Sequence, residues 1–178
     1  MKKKPWEKMT KAEKRVAIAK DVLHQLDLKK LIPAPGVYVR AGSPWKKKAE
    51  KETAPPAKEC TVCALGALFV SLPENKPLTY EALQSRVHRG PYVQEVWREQ
   101  LRAIFTPQQL SLIESAFEES DFIDLEDTRS MTLIGHSPVL RRAMGFAEQH
   151  CPNGGEPSEQ LLRAIMQNII DNKGTFKP

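Results

Sequence analysis

Residues 59–72, Glu59-Cys-Thr-Val-Cys-Ala-Leu-Gly-Ala-Leu-Phe-Val-Ser-Leu72, are the most apolar run of a 178-residue chain. Read as a helix, they carry two stripes. Val62, Leu65, Phe69 and Leu72 are large and apolar, whereas Cys63, Gly66, Ala67 and Val70 are mostly small. Small residues let a second backbone approach closely, so this helix is expected to be buried on two sides. Pro73 ends it.

Upstream, Thr10 and Glu13 form a capping box, in which each side chain satisfies the other's free backbone N–H. Val16, Ala19, Val22, Leu23 and Leu26 then recur at helical spacing. Pro33-Ala-Pro-Gly36 stops that helix. Val37-Tyr-Val39 is β-prone, one extended strand or a hairpin arm with Leu31-Ile32, and too short to found a sheet. Residues 43–58 hold three prolines, five lysines and one large apolar side chain, Trp45. That composition predicts a flexible loop, or an arm that orders on a partner with Trp45 as its stacking anchor.

Downstream, Thr79 caps a short helix that ends before Gly90-Pro91. Val93, Val96, Trp97, Leu101, Ile104 and Phe105 give a fourth helix. Thr106-Pro-Gln-Gln109 starts a fifth, lined by Leu110, Ile113, Ala116 and Phe117. Residues 118–135 read as an acidic loop. Ser137-Pro138 opens a sixth helix, His150 to Pro157 is turn chemistry, and Ser158 caps a last helix closed by Gly174. The expectation is an all-α, single compact domain of six or seven helices, with at most a short strand or hairpin near 31–40. Its parts are 1–42 (basic helix and extended segment), 43–58 (loop) and 59–178 (helical core).

At this length a chain buries about two-thirds of its unfolded surface, so neither metal nor disulfide is required for stability. The 40% apolar and 28% charged content is that of an ordinary soluble protein. Met1-Lys-Lys-Lys-Pro5 is basic but no apolar run follows, unlike a signal peptide. No run approaches the ~18 apolar residues of a membrane span. Three cysteines do not suit a secreted disulfide framework, and a reducing cytoplasm is the expected compartment. The net charge of +5 is unevenly distributed: residues 1–58 hold sixteen Lys/Arg against six Asp/Glu, and the remainder eleven against sixteen. A basic front on a mildly acidic body suits a nucleic-acid backbone or an acidic protein face.

Chemistry concentrates on Cys60-x-x-Cys63. At a helix start the dipole favours the thiolate, which makes a nucleophile or ligand conceivable. A redox pair lacks the βαβ setting. A zinc site would draw Cys60, Cys63, His150 and Cys151, although adjacent His and Cys tend to point apart. A thiol enzyme would use Cys60 with His150 and Asn153, in the chain order of papain-like hydrolases. The structural alternative is that Cys63 is a small core residue and Cys60 a cap residue. His24 reads as a packed or solvent-edge side chain. Arg86, Arg89, Arg98 and Arg102 cluster near one loop and could hold a phosphate or carboxylate, or pair with Glu95 and Glu99. Asp121, Asp124, Glu126 and Asp127 lack the spacing of a calcium loop. Walker, dinucleotide-binding, zinc-protease and serine-hydrolase signatures do not occur.

Gly36-Val-Tyr38, the Cys60–Leu68 run and the closing Leu162–Phe176 segment together resemble a group of short bacterial and phage proteins. These have a first helix, an extended Gly-aromatic segment, a Cys-x-x-Gly-Ala-Leu-like helix and a C-terminal amphipathic helix. The resemblance implies a compact helical domain and carries no activity or catalytic residues.

The leading functional expectation is a non-catalytic binding or regulatory protein. It acts on an acidic partner, nucleic acid or protein, through Trp45, Lys46, Lys47 and Lys48 and the four arginines, with no cofactor and no membrane. A thiol hydrolase or transferase and a zinc-stabilised module are the alternatives.

Overall fold

The computed structural model describes residues 4–42, 58–88, 93–118, 138–150 and 159–178. Among these, seven α-helices surround a small three-stranded sheet: α1 (Lys11–Asp27), α2 (Ala64–Val70), α3 (Tyr80–His88), α4 (Val93–Arg102), α5 (Pro107–Glu118), α6 (Pro138–His150) and α7 (Glu159–Asp171). The strands are β1 (Leu31–Pro33), β2 (Arg40–Ala41) and β3 (Cys60–Val62). No helix among the described residues is long and apolar enough to cross a membrane.

The sheet corrects the all-α expectation to a mainly helical one. Cys60-Thr-Val62 is not the first turn of a helix but the central strand, in the order β1-β3-β2. It pairs parallel with β1 (Leu31 opposite Cys60, Pro33 opposite Val62) and antiparallel with β2 (Arg40 opposite Thr61). All three of its residues are buried. A central strand covered on both faces shows no alternation, so its apolar run merges with the helix that follows. Pro33, which has no N–H to give, sits on the edge strand β1. The helix itself shortens to Ala64–Val70, with Cys63 at its N-cap and every residue buried.

Val37-Tyr-Val39 is not a strand either. Residues 36–39, which lead into β2, form a strap whose polar groups bond to helices instead of to a ladder. Gly36 N–H donates to Glu118 of α5 at 2.5 Å and Cys63 N–H donates to the Val37 carbonyl at 2.5 Å. The Tyr38 hydroxyl reaches Glu114 at 2.9 Å, and Ala41 N–H donates to Gln84 of α3 at 2.8 Å. Gly66 of α2 makes room for this strap: a β-carbon there would lie 1.5 Å from the Tyr38 carbonyl oxygen. The small-residue stripe of α2 thus meets a backbone, as its composition predicts.

α1 and α7 form an antiparallel pair. The Thr10–Glu13 capping box closes in both directions at the start of α1. Ile18, Ala19, Val22 and Leu26 face Leu161, Leu162, Ile165, Met166 and Ile169 in one continuous core. Gly174 lies against the Ala12 backbone at one end. At the other, Arg163 bonds Asp27 at 2.8 Å and Lys29 bonds Glu159 at 3.3 Å. The start of α5 is capped by Thr106, and Gln109 turns from that helix to grip the C-terminal segment. Its amide donates to the Phe176 carbonyl at 3.2 Å and accepts from Phe176 N–H at 2.7 Å.

Candidate functional site

Both described cysteines are sealed. Cys60 is 0% and Cys63 1% exposed. Burial pushes the Cys60 thiol up to about 12, with a smaller contribution from Glu81. Burial also raises Cys63, assisted by the nearby Glu118 carboxylate, which disfavours a second negative charge. The sequence-based expectation of a thiolate favoured by a helix start is thereby reversed. Cys60 is on a strand, and the seven-residue α2 does not offset the desolvation of Cys63.

His150 ends α6, a helix that packs on α5 and α7, with its Nδ1 2.9 Å from the Phe146 carbonyl and its ring stacked on Phe146 at 4.2 Å. No hydrogen bond joins it to Cys60 or Cys63 among the described residues. There, too, no group of three His, Cys, Asp or Glu is placed to hold a metal. Cys151 and Asn153, the other members of the two proposed sets, lie outside the described residues, as do Trp45, Lys46, Lys47, Lys48 and Arg89.

The N-terminal charge is distributed more informatively. α1 contains three acids, and each is taken by a cation from elsewhere: Glu13 by Lys4 at 2.7 Å, Asp21 by Lys76 at 2.5 Å and Asp27 by Arg163. Lys4 and Thr10 hold the Glu13 carboxyl well down, at about 2. The helix's own cations, Lys11, Lys14, Arg15 and Lys20, enter no ion pair among the described residues; Lys14 instead sits over the Trp6 ring at 5.1 Å. The contact between Gly174 and Ala12 brings the Lys173–Lys177 segment beside the same helix end. At the far end, Gly42 and Glu59, which flank the lysine-rich segment, are joined by a 2.8 Å backbone bond, and Cys60 N–H bonds the Lys30 carbonyl.

The three described arginines, Arg86, Arg98 and Arg102, do not share one site. Arg86 donates to Asn75 at 3.3 Å. Arg98 does pair with an acid, but the partner is Glu114 of α5 at 3.2 Å, not a neighbour on its own helix. It also donates to the Tyr38 hydroxyl at 2.7 Å and lies over the Tyr38 and Trp97 rings, 5.5 Å from each. Burial and Glu114 push the Tyr38 hydroxyl up to about 12, so it remains a neutral donor to that carboxylate. Arg102, one turn along α4, is exposed. Arg98 and Arg102 line a cavity of about 250 Å³ between α4, α5 and α2. Sequence reasoning marked the two arginines but missed Tyr38 and Glu114. Those two lie 60 and 16 residues from Arg98, and no local spacing connects them.

Compared with protein-family models, with curated proteins and with solved structures, the chain matches none.

Proposed function

We propose that this chain is a small non-catalytic binding or regulatory protein of bacterial or phage origin. Its basic N-terminal region engages an acidic partner, nucleic acid or protein, in the cytoplasm. The observation that carries the reading is the arrangement of charge on α1. Its acids are consumed by outside cations while Lys11, Lys14, Arg15 and Lys20 are left without acidic partners among the described residues. Unpaired surface cations keep their full attraction for a polyanion, and the excess of Lys/Arg in residues 1–58 adds to it. The buried thiols, by contrast, offer no thiolate for covalent chemistry at neutral pH.

The test is fluorescence anisotropy with labelled duplex DNA, single-stranded RNA and polyglutamate, titrated across salt. A nucleic-acid partner gives low-salt binding whose logarithm falls linearly with log salt. Reversing Lys46, Lys47 and Lys48 to Glu should then reduce the slope by about 3. Binding to polyglutamate alone selects the protein version. If none of the three probes binds at low salt, or if charge reversal changes neither affinity nor slope, the proposal fails.

A further inference from the structure

We propose that the cavity between α4 and α5, floored by α2, is a binding site for a small organic carboxylate with an apolar body. This site is separate from the basic N-terminal surface. Its floor is Leu65, Leu101 and Leu110, all nearly inaccessible to solvent, and its rim carries Arg98, Arg102 and Glu114. At about 250 Å³ it falls just below the ~300–1,000 Å³ of sites for drug-sized ligands, so its occupant is small.

Arg98 is held in place before any ligand arrives. Its Nη2 bonds both Tyr38 and Glu114, and its guanidinium rests against two aromatic rings. Holding a long side chain in one geometry in advance lowers the entropic cost of binding. Its Nε is buried without a hydrogen-bond partner. That nitrogen is closed to solvent and Nη2 is committed twice, so the fork offered to a carboxylate is the exposed Arg102 guanidinium, with Arg98 a fixed positive neighbour. Charge points to the same class of ligand. Glu114 offsets Arg98, while Arg102 enters no ion pair among the described residues. The rim therefore carries a residual charge of about +1, which one carboxylate neutralises while its apolar body lies against the remaining open surface of Leu65 and Leu110.

The test is a ¹H–¹⁵N NMR titration of the full chain with benzoate, with benzamide as the neutral isostere and phenyl phosphate as the alternative anion. Benzoate should give saturable shifts at Leu65, Leu101, Arg102, Leu110 and Glu114, with benzamide at least about fivefold weaker. Arg102→Ala should weaken benzoate about tenfold. Arg102 is exposed, so that variant leaves the fold intact, which an unchanged spectrum away from the cavity verifies. Four results overturn the proposal: no saturable shift, shifts mapping elsewhere, benzamide binding equally well, or Arg102→Ala without effect. Tighter binding of phenyl phosphate than of benzoate overturns the carboxylate assignment.

Discussion

Gly66→Ala tests the packing of the whole centre. In an ordinary helix interior this exchange stabilises by about 0.5–1 kcal/mol, because alanine has less backbone freedom to lose. At position 66 the new β-carbon would stand 1.5 Å from the Tyr38 carbonyl oxygen and 2.6 Å from its carbon. Non-bonded carbon needs about 3.5 Å, so the strap must retreat by roughly 2 Å. It cannot do so freely. The bonds from Cys63 to Val37 and from Tyr38 to Glu114 and Arg98 hold it on three helices. Losing two such bonds costs about 1 kcal/mol each, and residual overpacking about 1–3 more. After the helix-propensity gain, the net loss is about 3 kcal/mol, a fall of roughly 6–12 °C in Tm at this chain length. Gly145 of α6 supplies the control: a β-carbon there meets nothing within 4 Å, so Gly145→Ala should stabilise by about 0.5–1 kcal/mol. Urea denaturation followed by far-UV circular dichroism measures both. A Gly66→Ala protein as stable as the parent would mean that α2 and the strap do not meet as described.

The buried thiols give a second expectation. In a Cys151→Ser background, Cys60 and Cys63 should not react with a disulfide reagent at pH 8 until denaturant opens the fold; rapid native-state labelling would contradict their burial. The sign of the pH effect follows from the raised folded-state value of Cys60. The stability it contributes is whole below about pH 9, the thiol's ordinary value, and is lost as pH rises through about 12. Tyr38 acts in the same direction from about 10 to about 12, so urea midpoints should fall on the alkaline side of pH 9. Gln109→Ala removes both bonds to Phe176 and should cost about 1–2 kcal/mol, with faster amide exchange at Phe176. Unchanged exchange there would show that the Phe146–Phe176 ring contact and the paired Asn168–Lys177 bonds hold the C-terminal segment without Gln109.

The helices were legible because their signals are local. The Thr10–Glu13 box, the Thr106-Pro107 start and the stripes of α1 and α7 each lie within a few residues, where periodicity and capping act. The sheet was not. Its three strands are two or three residues long, and the ladder joins Leu31 to Cys60 across 29 positions, so no window of the chain contains the pairing. The same limit applies to the sites. The charge excess of residues 1–58 is a sum over sequence and could be read directly, but which charges are paired depends on Lys76 and Arg163 folding back onto α1.

For residues 59–72, composition alone determined that the segment is buried and that a second backbone approaches it, because only small residues tolerate that contact. Tertiary structure decided the rest. Desolvation and Glu118 turned a candidate reactive cysteine pair into sealed thiols, and Tyr38 and Glu114, brought in from distant positions, fixed Arg98 beside a cavity. Burial and charge neighbours set the chemistry of a side chain, and both are properties of the folded chain.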